Sequence, residues 1–185
     1  MMKTIIKSIL ILLIINLSVV SNAQRRVKNK SNISEQDILL SIEVHNKARE
    51  DVGTPPLKWS VELANDAQKY AEYLARRNRG LLHSSSRNDQ GENLYMWYTI
   101  GKTNSSNIST HPGVDASYAW YNEIKYYRYK KIRKHRIGPA VGHYTQMIWR
   151  STEELGIGWA VSKTGTVYVV ARYYKAGNMI GKHPY

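Results

Sequence analysis

The chain has 185 residues and a formal net charge of +13, and it contains no cysteine. Its length is that of one domain with a single sizeable core. The lack of cysteine excludes a disulfide framework and thiolate metal sites, while the positive charge favours polyanionic partners.

The first residues have the features of a secretory signal peptide. Two lysines precede a short apolar run, and the small residues Ser21 and Ala23 follow it at the spacing that signal peptidase requires. The alternative is an uncleaved membrane anchor, but the apolar run is short for a membrane span. We therefore predict a signal peptide at residues 1–23 and a secreted, extracellular mature protein.

Helical periodicity organises the first two thirds of the mature chain. Residues 24–33 are basic and polar, which predicts a flexible leader to a domain that spans residues 34–185. Apolar residues at three- and four-residue steps then predict three helices, which run from Ser34 to near Gly53, from Ser60 to Gly80 and from about Asp115 to Tyr129. Residues 81–114 have no helical periodicity and are predicted to form a long surface loop.

The last third of the chain is rich in β-forming residues. Two alternating runs meet at Ser162 to Gly165, which indicates a β-hairpin. Together with the three helices, these strands predict an α+β fold in which helices cover an antiparallel sheet.

Three sequons in polar surroundings are candidate N-glycosylation sites, and the alternative is that they stay unmodified. Their asparagines are Asn32, Asn104 and Asn107.

Four titratable residues stand among apolar neighbours, namely His83, Glu92, Glu123 and His143. A buried charge is costly unless it is paired or bound to a metal, so these residues are best explained if they meet. Two imidazoles, with the carboxylates as ligands or as hydrogen-bond acceptors, suit Zn²⁺ or another divalent cation. The alternative is that each histidine is a hydrogen-bonded core or cleft residue without a metal.

Six segments of the chain, taken together, resemble the CAP superfamily. This family includes the cysteine-rich secretory proteins, insect venom antigen 5 and the plant pathogenesis-related proteins. The segments are HNKARED (45–51), PPLKWSVELANDAQKYAEYLA (55–75), HSSSRNDQGENL (83–94), WYNEIKYY (120–127), GHYTQMIW (142–149) and YVVARYYKAGNMIG (168–181). The pattern VVARYYKAGN is most similar to the cysteine-free branch typified by the Golgi-associated plant pathogenesis-related protein.

The resemblance implies an α-β-α sandwich with an open cleft whose four polar residues match His83, Glu92, Glu123 and His143. It also implies divalent-metal binding through the two histidines, and uptake of a sterol, a lipid or another apolar ligand. Association of the chain into a homodimer is a further expectation. The chain departs from its secreted relatives at Ile157 and Ala171, where those relatives usually carry cysteines.

The segment KYYRYKKIRKHR, residues 125–136, is a feature of this chain's own and is called the basic segment below. Its cations are Lys125, Arg128, Lys130, Lys131, Arg133, Lys134 and Arg136. They form either a solvated surface or a binding site for anionic lipid or sulfated glycan. Nucleic acid is disfavoured as a partner because no nucleic-acid-binding signature accompanies the segment and the protein is expected to be secreted.

Three classes of function remain open on the sequence. The favoured one is a binding protein for a sterol, a lipid or another apolar ligand. The alternative is a metal-dependent hydrolase or protease in which zinc activates water and Glu92 or Glu123 acts as base, with His83 and His143 beside them. The HExxH and GxSxG motifs are absent, which counts against that enzyme. A third reading is an effector that binds a protein partner.

Overall fold

The structure is a computed structural model that describes residues 27–98, 109–134 and 137–185. The predicted signal peptide, the sequons at Asn104 and Asn107, and Arg136 of the basic segment therefore lie outside the described residues. No helix within the described ranges is long and apolar enough to cross a membrane.

The described residues fold into a series of α-helices and strands. In chain order these are α1 (Glu35–Glu50), β1 (Lys58–Trp59), α2 (Val61–Arg77), β2 (Gly91–Tyr98), α3 (Pro112–Tyr121), α4 (Gly142–Met147), β3 (Glu154–Val161) and β4 (Thr166–Tyr174). A 3₁₀ helix, Asn122–Tyr126, continues α3.

The strands form one sheet in the order β1-β3-β4-β2. Strand β4 pairs antiparallel with both β3 and β2, whereas the two-residue strand β1 pairs parallel with β3. Helix α2 covers one face and helices α1 and α3 cover the other, so the predicted α+β sandwich is confirmed. The predicted hairpin is also confirmed, because the Ser162 amide donates to the Thr166 carbonyl at 2.8 Å and Gly165 adopts a φ of 87° in the turn.

Strand β4 lies at the centre of the sandwich and is buried on both faces. Val167 and Val169 pack toward α1 and α3, in the cluster that includes Trp120. Tyr168 and Val170 pack toward α2 in a second cluster. The alternation of side chains along a strand therefore produces two apolar cores from one continuous apolar run.

Helix α2 approaches the sheet closely at two glycines of β3. A Cβ atom at Gly156 or at Gly158 would overlap the backbone of α2. Ile157, between them, points into the opposite core and pairs across the strands with Ala171. The two positions where secreted relatives usually carry cysteines are thus filled here by a buried apolar pair.

The prediction that residues 81–114 form a loop is wrong for Gly91–Tyr98. This segment is strand β2, which pairs with β4 over its whole length. Its alternating residues, with Leu94 and Met96 toward α2, have a strand period and not a helical one. The pairing partner lies about 75 residues further along the chain, beyond the reach of local sequence patterns.

The predicted limits of the helices are correct at one end and shifted at others. The Ser34 hydroxyl accepts a hydrogen bond from the Asp37 amide, as expected of an N-cap. Helix α2 ends before Asn78, which takes a left-handed φ of 47°, so Gly80 does not end it. The third predicted helix begins three residues early, at Pro112, and gives way to the 3₁₀ helix after Tyr121.

The early start of α3 follows from a contact with α1. The carboxylate of Asp37 accepts hydrogen bonds from the amides of Gly113 and Val114, both at 2.9 Å, and so satisfies the first turn of α3. The carboxylate is fully buried, and that burial raises the pKa of Asp37. A residue that in the sequence belongs to the start of α1 therefore defines the start of α3.

Part of the segment predicted as a leader lies against α2. The amide of Lys30 donates to Asn65 at 2.6 Å, and the amide of Asn32 donates to Gln68 at 2.9 Å. Ile33 is buried in the core. The side chain of Asn32, the one described sequon, is exposed.

Candidate functional site

The first pair of candidate residues joins the loop after α2 to the start of β2. His83 Nδ1 lies 2.6 Å from Glu92 Oε1, and the Ser84 amide donates to the same oxygen at 3.0 Å. The Glu92 side chain has 0 % exposure, whereas 55 % of the His83 side chain is exposed. The carboxylate is thus a buried support, and the imidazole is the part of the pair that solvent reaches.

The other oxygen of Glu92 is held by an arginine that sequence reasoning missed. Arg172, opposite Glu92 on β4, places Nη2 3.0 Å from Glu92 Oε2. Burial lowers the pKa of Arg172, and the negative charge of Glu92 opposes that shift. The guanidinium also lies over the ring of Tyr70 on α2, at 5.2 Å from its centroid. A lone charge inside the apolar strand VVARYY was the signal that could have revealed it.

The second pair joins the 3₁₀ helix to the start of α4. His143 Nδ1 lies 2.6 Å from Glu123 Oε1. The amides of His143 and Tyr144 donate to Oε2 at 3.0 and 3.1 Å, so the carboxylate also caps the first turn of α4. His143 is half-buried and lies near Trp120, with ring centroids 6.2 Å apart and the ring planes tilted by 30°. Glu123 thus fixes both the backbone and the imidazole of His143.

The two pairs adjoin each other through β2. Asn93, next to Glu92, donates to the backbone carbonyl of His143 at 3.1 Å. An open cleft of about 690 Å³ extends from the first pair toward α4 and is lined by His83, Glu92, Gln146 and Asn178. Across the described ranges, no three His, Cys, Asp or Glu residues are grouped closely enough to hold one metal ion. The structure therefore brings the four residues together as two pairs.

Each glutamate favours the same tautomer of its histidine, with the hydrogen on Nδ1. A carboxylate that receives the Nδ1 hydrogen leaves Nε2 as the nitrogen with a free lone pair. The Nε2 atoms of His83 and His143 make no hydrogen bond to a described residue. In both residues Nε2 is therefore the ring nitrogen that the glutamate leaves unengaged.

Behind the second pair lies a buried polar network. Asn93 also donates to the hydroxyl of Tyr173 at 3.0 Å, and that hydroxyl lies 2.9 Å from His45 Nε2. His45 Nδ1 lies 2.8 Å from the Ser41 carbonyl, which can only accept, so Nδ1 carries the hydrogen and Tyr173 donates to Nε2. Burial lowers the pKa of His45 to about 4. Its role is structural.

The basic segment forms one wall of a second groove. Its six described cations are exposed, and none forms an ion pair with a described acidic residue. The groove has a volume of about 630 Å³ and combines cations with apolar side chains. It is lined by Arg128, Lys130, Lys131, Arg133, Ile132, Ile137, Val141 and Asn178, among others. Asn178 also lines the cleft beside His83, so the two depressions share a border.

Comparison with known proteins decides the family. Residues 42–173 match CAP, the cysteine-rich secretory protein family. The chain belongs to the CAP family. This CAP chain is 37% identical over 143 residues to Golgi-associated plant pathogenesis-related protein 1 of Homo sapiens, which covers 76% of the chain and 84% of that relative. It is 37% identical over 152 residues to pathogenesis-related protein 1C of Nicotiana tabacum, covering 82% and 81%.

Solved structures agree with the CAP fold. The structure of NaASP2 with Zn²⁺ superposes with a TM-score of 0.69 at 26% identity and covers 84% of this chain and 88% of that one. BmVAL-1 superposes with a TM-score of 0.71 at 23% identity, covering 84% of each chain, which supports the fold alone. The resemblance noted in the sequence is therefore confirmed for the family and for the fold.

Proposed function

We propose that this CAP chain is a binding protein that holds an amphipathic or apolar ligand, such as a fatty acid or a sterol, in the groove beside the basic segment. The lining of that groove carries the proposal. Its volume lies in the range of small-molecule sites, and its lining combines apolar side chains such as Ile132 and Val141 with cations. A fatty acid matches both parts of this lining, because its tail is apolar and its head is an anion.

The environment of the two glutamates supports binding over hydrolysis. A general base must be free to take a proton from water. Glu123 already accepts three hydrogen bonds, and Glu92 is fully buried between His83 and Arg172. Their geometry is that of carboxylates that orient imidazoles. Turnover of a peptide or ester panel that is lost in Glu92→Gln or Glu123→Gln would instead support the hydrolase.

The groove is tested with a fluorescent fatty acid and with unlabelled fatty acid and sterol as competitors. Ile132→Asn removes an apolar side chain from the groove, and burial of such a side chain contributes about 1.5–3 kcal/mol, so affinity should fall about tenfold or more. Leu39→Asn is the control, because Leu39 is exposed on α1 and does not line the groove. Equal affinity in both variants would place the ligand elsewhere.

A second candidate function is reversible binding of a divalent cation by His83 and His143. The free Nε2 atoms of the two imidazoles favour it, because histidines that bind zinc usually donate their other ring N–H to a carboxylate. NaASP2, a structural neighbour, was solved with Zn²⁺. Two protein ligands are fewer than the three or four of tight zinc sites, so binding should be weak. Glu92 and Glu123 would accept the Nδ1 hydrogens of the two histidines and orient their rings.

Zinc titration by calorimetry tests this site directly. We expect His83→Ala and His143→Ala each to reduce zinc affinity, while His111→Ala, a histidine outside both pairs, leaves it unchanged. A titration curve that is the same in all four proteins would locate the zinc elsewhere.

Secretion and association with an anionic surface complete the proposal. Residues 1–23 support secretion, and amino-terminal sequencing of secreted protein should find a start near Gln24.

The exposed cations of the basic segment support binding to anionic lipid or sulfated glycan. Retention on heparin should fall steeply with salt. If neutralising Lys130 and Lys131 leaves retention unchanged, the basic segment is a solvated surface.

A further inference from the structure

A small polar pocket lies between α2 and the turn that precedes β2. Its volume is about 230 Å³, which is below the size of sites that hold drug-sized ligands. The pocket shares no lining residue with the groove beside the basic segment, so the two are separate sites. Its lining includes Lys69 and Tyr70 of α2, Ser84, Arg87 and Gln90 before β2, and Arg172 of β4.

Arg172 brings buried N–H groups without an acceptor to this pocket. Only 4 % of its side chain is exposed, and its Nη2 pairs with Glu92 at 3.0 Å. Among the described residues, Nε and Nη1 of Arg172 have no hydrogen-bond partner. Buried polar groups are satisfied by protein, by ordered water or by a bound ligand in nearly all native proteins. The pocket that Arg172 lines is therefore where an acceptor for these groups is expected.

The charges around the pocket suit a ligand with a single negative charge. Its lining contains three cations, Lys69, Arg87 and Arg172, and one carboxylate, that of Asp66. Asp66 is already paired with Lys69 at 3.3 Å, and Glu92 is paired with Arg172. Three cations and two carboxylates leave one positive charge in excess. A monoanion balances that excess, whereas a phosphate dianion would exceed it.

Arg87 and Arg172 are close enough to influence each other. Burial lowers the pKa of Arg172, and the positive charge of Arg87 acts in the same direction. An anion in the pocket that both residues line would replace this repulsion with two attractions. A tight turn holds Arg87 in place, because the Gln90 amide donates to the Arg87 carbonyl at 2.8 Å. Asn88 and Asp89 in this turn take left-handed φ values of 45° and 61°.

We infer that this pocket binds a small monocarboxylate, with the carboxylate between the guanidinium groups of Arg172 and Arg87. The planar N–H groups of arginine match the two oxygens of a carboxylate. The ring of Tyr70, which also lines the pocket, offers an apolar contact to a short hydrocarbon chain. The pocket is too small for a long-chain fatty acid or a sterol, so the inference is independent of the function proposed for the groove.

The test is a titration of the native protein with sodium acetate, sodium butyrate or sodium phosphate at constant ionic strength, followed by the amide signals in NMR spectra. We expect acetate and butyrate to cause saturable shifts in residues 84–90 and at Arg172. Arg87→Gln removes an exposed charged donor and should weaken acetate binding about tenfold. Arg79→Gln is the control, because Arg79 is exposed and does not line the pocket.

Arg172→Lys is a second variant, which keeps the positive charge but removes the planar N–H groups. It should also weaken acetate binding about tenfold, and Arg87→Gln decides alone if this variant does not fold. Shifts that do not saturate, or equal acetate affinity in Arg87→Gln and Arg79→Gln, would overturn the inference and leave water as the partner of Arg172. Tighter binding of phosphate than of acetate would overturn the choice of a monocarboxylate. Shifts confined to the basic segment would also overturn it, because the anion would then bind the exposed cations there.

Discussion

Acidification should destabilise the protein through His45, the buried histidine of α1 whose Nε2 accepts the hydrogen bond of Tyr173. Its pKa is lowered from 6.5 to about 4 because burial disfavours the imidazolium. In the unfolded chain the imidazole takes up a proton as the pH falls through 6.5, whereas in the folded protein it stays neutral until about pH 4. The unfolded state thus binds more protons in this window, and stability falls as the pH falls.

The size of the effect follows from the two pKa values. Between about pH 7 and about pH 5 the linkage amounts to about 2 kcal/mol, and it approaches about 3 kcal/mol near pH 4. The neighbours of His45 do not titrate in this window. Burial lowers the pKa of Arg49 only to about 10, and it raises the pKa of Tyr173 well above its ordinary value.

The assay is urea unfolding of the native protein and of His45→Gln at both pH values. Glutamine is uncharged and can still form hydrogen bonds, so the variant removes the titration. Asp37, whose raised pKa favours the folded state as the pH falls, contributes equally to both proteins and cancels. The native protein should lose about 2 kcal/mol more than the variant between the two pH values. An equal loss in the two proteins would refute the reasoning.

Three further predictions concern stability and are checked by the same unfolding assay. Gly156→Ala should lower the free energy of unfolding by about 3 kcal/mol or more, or prevent folding, because the new Cβ overlaps the backbone of α2. Gly53→Ala is the control and should cost about 1 kcal/mol, because Gly53 has a φ of 66° but faces open space. Equal costs would contradict the close approach of α2 to β3. Asp37→Ala should cost about 1–2 kcal/mol or more because the first turn of α3 loses its acceptor, and native stability would contradict the cap. Arg49→Met should cost about 3 kcal/mol or more because four backbone carbonyls lose their donor, and a cost below about 1 kcal/mol would show that water replaces the guanidinium.

The features that the sequence predicted correctly are those encoded by near neighbours. Helix α2 follows from apolar residues at three- and four-residue steps, and the β3–β4 hairpin follows from alternating residues around a glycine turn. The family was recognisable because its segments occur in order along the chain. Strand β2 was missed because its hydrogen-bond partner, β4, lies far along the chain and no local turn signal connects the two.

The sequence by itself determined which residue types the candidate site contains. Apolar neighbours around His83, Glu92, Glu123 and His143 indicated partly buried titratable groups, and burial of a charge requires a partner whatever the fold. The identity of each partner could not be predicted. Nothing local shows that Arg172 sits opposite Glu92, because that contact depends on the register of β2 against β4.

Only the tertiary structure decided how these residues are combined. It joined each histidine to one glutamate, placed Asp37 of α1 at the start of α3, and brought Ile180 beside the basic segment. Each of these contacts closes a loop of chain, which costs conformational entropy. Burial of apolar side chains in the two cores on either side of β4 offsets that cost. Local periodicity records which face of a helix or strand is buried, but the partner of that face is selected by packing of the whole chain.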